Sequence, residues 1–294
     1  MRRWILGNKI DVINTHSSTD SWLVGLATHF MPGGPAKVRT RHISAPIPKN
    51  MPTRWLYTRS ADHIVTTGET LRHSMIVDNR FPGEMITSIP TGIDTNRFVP
   101  GEKNESRKRL GLPLDIPIIG IVATLRSWKG HKYLVDAFAK LPSGKYFLLI
   151  VGDGPQKENI RVQLAELNLE SNVMMAGNQQ DVVPWLQAMD LFVLPSYANE
   201  GVPQGIMQAM SCELPVISTP IGSISEAVQD GVTGILVSPK DAEQLYKAMV
   251  KIIENKTLRE DMGLEARRYA QSNFALKIMG DKMEGLFYSV LGHH

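Results

Sequence analysis

The chain has 294 residues and a single cysteine, Cys212. One cysteine excludes a disulfide framework and a cysteine-based zinc site, and it fits a reducing compartment. Long apolar runs are missing too: none approaches the ~20 residues that a membrane span needs. Residues 1–7 begin like a secretory signal, but Asn8, Lys9 and Asp11 cut the apolar region short. There is no Walker-type phosphate loop. Gly152-Asp153-Gly154 lacks the third glycine of a dinucleotide fingerprint and the acidic residue that would hold a ribose, which argues against a nicotinamide enzyme. No spacing of His, Asp and Glu suggests a metal site. The formal net charge of +3 is spread along the chain without a dense basic block. That argues little for nucleic acid and mildly favours anionic small molecules or an acidic membrane surface. The sequence therefore reads as a cytoplasmic protein without metal or nucleic-acid partner. Internal repeats and low-complexity stretches are absent as well.

What is present is an alternating α/β pattern. With 43% hydrophobic residues the chain can bury two ordinary cores. Short apolar runs over 118–123, 146–151, 172–176, 191–194, 215–218 and 234–237 read as strands buried on both faces, as in a parallel sheet covered by helices. Helix-period segments lie between them at 131–141, 156–167, 182–189, 203–212 and 223–229. Ser223 with Glu226, and Asp241 with Gln244, are spaced as capping boxes. These units make a complete Rossmann-like domain over 92–273. Residues 1–91 read as four more strands (11–16, 38–43, 62–67, 85–89) and three helices (21–30, 52–59, 69–77), about half of a doubly wound domain. Residues 274–294 form a last amphipathic helix with Ile278, Met279, Met283, Leu286, Phe287 and Val290 on its apolar side.

Residues 194–208, LPSYANEGVPQGIMQ, are the most informative stretch. An apolar strand ends in a polar turn, a lone acid Glu200 follows, and Gly201, Val202, Pro203, Gln204 and Gly205 open a helix. Amides freed at such a start can receive phosphate oxygens or sugar hydroxyls. Arg126 and Lys129 follow another strand, at the carboxyl edge where ligands of open α/β sheets bind. Arg grips two phosphate oxygens in a fork, and Lys supplies a point charge. Gly152 and Gly154 allow close approach to the backbone. The plain alternatives are solvated loop cations, an ordinary turn, an exposed glutamate and a helix-surface Gln208.

Several blocks, in order, resemble family 4 (group 1) glycosyltransferases. They are IPTGID at 89–94 with Phe98 and Pro100, GIVATLRSWKG at 120–130, LIVGDGP at 149–155, the 194–208 stretch, PVISTP at 215–220 and GVTGILV at 231–237. The resemblance implies a GT-B fold, two Rossmann-like parallel-sheet domains facing across a cleft, with the N-terminal one incomplete. It implies a retaining transferase that moves a sugar from a nucleotide diphosphate sugar to a saccharide or lipid-linked envelope acceptor, without metal or further cofactor. On that reading Arg126 and Lys129 serve the diphosphate, Glu200 the sugar, and Gln208 the ribose, where relatives carry glutamate. A glutamine can still bond ribose hydroxyls but loses a charge-assisted bond. The arginine of many relatives falls at Thr124, and Arg126 is the candidate to replace it. His42 matches the histidine that faces the reacting sugar, and His16 would lie near the acceptor. Both are equally readable as structural strand-end residues. The last helix would cross back to the first domain.

The family's first strand and glycine-rich turn have no counterpart before Asp11. The expectation is a chain lacking the first part of its N-terminal domain, with lowered turnover and self-association through an incomplete sheet. Peripheral contact with the inner face of the plasma membrane is expected from family habit. A non-catalytic nucleotide-sugar-binding module, and a hydrolase or epimerase on the same fold, stand as alternatives.

Overall fold

The computed structural model describes residues 1–43 and 45–292; His293 and His294, the end of the expected last helix, lie outside the described residues. The chain forms two compact units, residues 1–92 with 277–294, and residues 93–276. Charge is divided unequally between them. The first unit holds 13 Lys/Arg against 8 Asp/Glu and the second 19 against 21, so the positive excess is not spread evenly as the linear sequence suggested.

The first unit contains β1 (Val12–Thr15), β2 (Ala36–Arg41), β3 (His63–Thr66) and β4 (Ile86–Ser88), all parallel and in the order β1-β2-β3-β4. Period-two alternation sends neighbouring residues to opposite faces. Ile64 accordingly packs with Tyr57, Leu71, Met75 and Phe81, whereas Val65 packs with Val38, Ile89, Leu286 and Val290. The second cluster is where the last helix, Leu276–Gly292, buries its apolar side. Helix Ser18–Thr28 starts on a reciprocal capping box, Ser17 with Asp20, which the sequence reading did not single out. Among the described residues strand β1 pairs with β2 alone, and Trp4, Leu6, Leu23, Leu26 and Phe30 are exposed in this unit.

The second unit is a six-stranded parallel sheet: β5 (Ile118–Val122), β6 (Phe147–Val151), β7 (Val173–Gly177), β8 (Leu191–Leu194), β9 (Val216–Ser218) and β10 (Gly234–Leu236). Their order, β7-β6-β5-β8-β9-β10, is the doubly wound 3-2-1-4-5-6 arrangement. Strands β6, β8 and β9 are buried at every residue, because helices cover both faces. The six predicted apolar runs coincide with these strands to within one residue at either end.

One predicted detail fails. Ser223 makes no capping bond, and its hydroxyl is buried without a partner among the described residues. Ser223 stands at φ −98°, ψ 20°, not in the extended conformation of a side-chain cap, and the Glu226 amide donates to the Ser223 carbonyl at 3.1 Å in place of its hydroxyl. Asp241 does cap its helix, accepting from the Gln244 amide at 2.8 Å, but the Gln244 side chain bonds the Ser238 amide in place of closing the box.

A buried ion pair ties the amino ends of β5 and β8 together. Asp190, just before β8, accepts from Arg107 at 2.5 Å, Lys103 at 2.6 Å and the Ile118 amide at 2.8 Å. Burial pushes its carboxyl up, but Lys103, the Ile118 amide and Arg107 outweigh that and hold it below the usual carboxylate range. Since the amino ends are pinned, the opposite ends of β5 and β8 are free to carry loops.

Candidate active site

The strand order reverses between β5 and β8. The chain leaves β5 toward β6 and leaves β8 toward β9, so their carboxyl ends flank a topological switch point, where ligands of open α/β sheets bind. The two loops that follow are locked together. The Tyr197 amide donates to the Trp128 carbonyl at 2.8 Å. Gly130 has φ +79°, and a side chain there would meet the Pro195 carbonyl oxygen at 2.0 Å, so this close approach requires glycine.

Across this joint Lys129 Nζ lies 2.7 Å from Glu200 Oε1, and Ser196 Oγ donates to the same oxygen at 2.6 Å. Glu200 is 4% exposed, which an unpaired carboxylate would not tolerate. Both contacts fall on Oε1, leaving Oε2 without a protein partner among the described residues. An oriented carboxylate with one free oxygen can accept from vicinal hydroxyls. Ser196 was missed from sequence because its role depends on the turn that carries it back four residues to Glu200.

The other sequence candidates fall around this pair or away from it. Gly201, Val202 and Pro203 are buried, and Pro203 in extended conformation caps helix Gln204–Ser211. Gln204 and the half-buried Gln208 are one turn apart on that helix, and Gly205 lets its start approach the Val122 carbonyl. Arg126 is not gathered with Lys129 and Glu200. It is exposed, its guanidinium stands 5.7 Å from the Trp128 ring centre, and it lines a groove with Tyr133 and Tyr197. Gly152, at φ +140°, does allow close approach, but what approaches is the chain itself: a Cβ would sit 2.0 Å from the Ala123 carbonyl oxygen. At Gly154 a Cβ would likewise meet Leu125, so both glycines seat the β6 loop against the β5 loop.

His16 and His42 belong to the first unit, after β1 and β2. Their ring nitrogens share a hydrogen bond of 2.9 Å and the rings stack with centres 5.2 Å apart. Burial, and then the neighbouring His16 charge, lower the His42 pKa, so the pair favours a neutral His42 that can pass a proton along one bond. Among the described residues no group of three or more His, Cys, Asp or Glu side chains could hold a metal ion.

His131 is 2% exposed, and neither ring nitrogen has a partner among the described residues. Burial, with the Lys129 charge second, pushes its pKa from 6.5 down to about 4. A lowered folded-state value means that the unfolded chain binds the extra proton between those limits. Stability is therefore full above about pH 6.5 and falls as the pH drops toward 4. Urea unfolding is expected to show a loss of about 2 kcal/mol from this group between about pH 7.5 and about pH 5. His131→Gln removes that part of the slope; an unchanged slope rules out the assignment.

The comparisons with known proteins bear on the whole chain. Residues 102–269 match the family model for glycosyl transferases group 1, and residues 1–97 match that for glycosyltransferase family 4. A GDP-mannose-dependent monoacylated alpha-(1-6)-phosphatidylinositol monomannoside mannosyltransferase of Corynebacterium glutamicum is 28% identical over 214 residues, covering 68% of this chain and 55% of that protein. The chain spans about half the length of the curated relatives it matches first. Among solved structures, a glycosyltransferase from Rickettsia africae superposes with a TM-score of 0.89 at 23% identity, covering 99% of this chain and 79% of that one. An Anabaena protein crystallised with UDP-glucose gives 0.87 at 23% identity, covering 95% and 79%. The fold of two parallel-sheet units is that of the GT-B glycosyltransferases. With its larger unit matched by the first of these models over 102–269, the chain is a member of the glycosyl transferases group 1 family.

Proposed function

We propose that this chain transfers a sugar from a nucleotide diphosphate sugar to a saccharide or lipid-linked acceptor, with retention of anomeric configuration. The observation that carries the reading is the Lys129–Glu200–Ser196 cluster at the switch point. Lys129 is the cation for the leaving diphosphate, whose charge grows as the bond breaks. Glu200 orients the transferred sugar through Oε2. Gln208 serves the ribose, and the amides of Gly201, Val202, Gln204 and Gly205 supply further donors. In the reaction, the bond from C1 to the diphosphate oxygen breaks and the bond from C1 to the acceptor oxygen forms on the same face. The acceptor proton passes to the departing diphosphate, so no protein nucleophile, metal or other cofactor is required. His42, paired with His16, is assigned to the acceptor side. A cytoplasmic location with peripheral contact at an anionic membrane suits the positive excess of the first unit.

The named donors of similar proteins differ, GDP-mannose in one and UDP-glucose in another, so the test uses both. Thermal denaturation is followed with GDP, UDP and ADP, and with GDP-mannose, UDP-glucose and ADP-glucose. One base should raise the midpoint, and its sugar conjugate should raise it further. Glu200→Ala should remove the increment due to the sugar while keeping that due to the diphosphate. No shift with any of the six compounds rejects the reading.

A further inference from the structure

Helices His131–Phe138 and Lys157–Glu166 enclose a groove of about 500 Å³ that the transfer chemistry above leaves unused. That volume lies within the range of small-ligand sites, which run from about 300 to about 1,000 Å³. Its charges cancel: Arg126 and Lys132 face Asp136 and Glu166. A phosphate would leave the carboxylates opposed, and a cation would leave the basic groups opposed, so the lining suits a neutral occupant.

The polar groups are planar and held in place. Asn159 donates to Gln156 at 2.9 Å, and Gln163 donates to Asp136 at 2.7 Å and to the Lys132 carbonyl at 3.0 Å. Amides fixed in this way present remaining donors and acceptors at little entropic cost. Tyr133 and Tyr197 meet edge to face, with ring centres 6.0 Å apart; Lys240 Nζ stands 4.6 Å from the Tyr197 ring centre, so Tyr133 is the ring that serves as an apolar face beside a hydroxyl group. His131 lies in the lining but is almost wholly buried with both ring nitrogens out of contact with solvent, so it shapes the groove and leaves the polar contacts to the exposed Asn159 and Arg126.

We propose that this groove is a binding site for a neutral saccharide chain, with Tyr133 against a pyranose face and Asn159 and Arg126 bonding hydroxyls. It is separate from the Lys129–Glu200 cluster. That the bound chain is the acceptor or the product rests on the glycosyl-transfer reading; the binding itself does not. Arg126 is thereby assigned to the saccharide groove and not to the diphosphate.

The test is titration calorimetry of the full chain with maltohexaose, cellohexaose and α-1,6-mannohexaose, each with and without UDP-glucose and GDP-mannose. At least one hexasaccharide should bind, and neither nucleotide sugar should displace it. Tyr133→Ala should weaken that binding about tenfold, as for a central aromatic contact. Asn159 is exposed, so Asn159→Ala keeps the fold and should weaken binding several-fold. Three results overturn the proposal: no binding by any of the hexasaccharides, binding unchanged in both variants, or displacement by a nucleotide sugar. Failure of the donor reading would appear separately, as hexasaccharide binding without any nucleotide response.

Discussion

Lys129→Ala is expected to lower sugar transfer by about 10²- to 10³-fold, the loss typical of one pre-oriented group that meets developing charge. The loss should fall on kcat more than on KM, since the diphosphate carries most charge when the bond is breaking. Two effects must be separated, because removing Lys129 also leaves Glu200 buried without its counter-charge. Glu200→Gln keeps the acceptor oxygen for Ser196 and removes the charge. In Lys129→Ala/Glu200→Gln the burial problem vanishes while the missing cation remains. Steady-state kinetics and thermal midpoints of the two single variants and the double variant form a cycle that divides the terms. A double variant with restored stability and unrestored turnover is the expected outcome. If turnover recovers with stability, Lys129 acts on the fold and not on the diphosphate.

Asp190→Ala should destabilise the second unit by about 3–5 kcal/mol, the usual result of removing one member of a buried pair. Arg107 has only 4% of its side chain exposed, and the rest of its guanidinium is already bonded to the Ala188, Leu114 and Ile116 carbonyls. Among the described residues no other carboxylate pairs with it, and the Ile118 amide loses its acceptor as well. Urea unfolding measures the change directly. Replacing both charges, with Asp190→Leu and Arg107→Met, should recover much of the loss, because the desolvation cost disappears with them. A single-variant cost under about 1 kcal/mol, the value for an exposed pair, would contradict this assignment.

Asp190 also shows how much was readable in advance. A charge between the apolar pairs Ala188-Met189 and Leu191-Phe192 must be paired if it is buried, but its partners lie over 70 residues away in sequence. His131 is a similar case. A histidine after Lys-Gly reads from sequence as either structural or exposed, and only packing against its neighbours shows that it is buried and unpartnered among the described residues. Ser223 failed in the opposite sense. Its spacing to Glu226 satisfies the local rule, yet its backbone is not extended and the Glu226 amide is taken by the Ser223 carbonyl.

The sequence by itself determined the strands and the order of elements. In a parallel sheet covered on both faces a strand must be apolar throughout, and such a run is visible without knowing its neighbours. It also marked Lys129, Glu200 and the glycine-flanked helix start, because strand-end loops with glycine and charge have few other uses. Only the tertiary structure decided which of those residues meet. The strand order reverses between β5 and β8, and that topology brings residues 129 and 200 to 2.7 Å while Arg126 lines the groove with Tyr133. Contacts between loops depend on how strands are permuted in the sheet, and the permutation is set by the packing of the whole unit rather than by any local run.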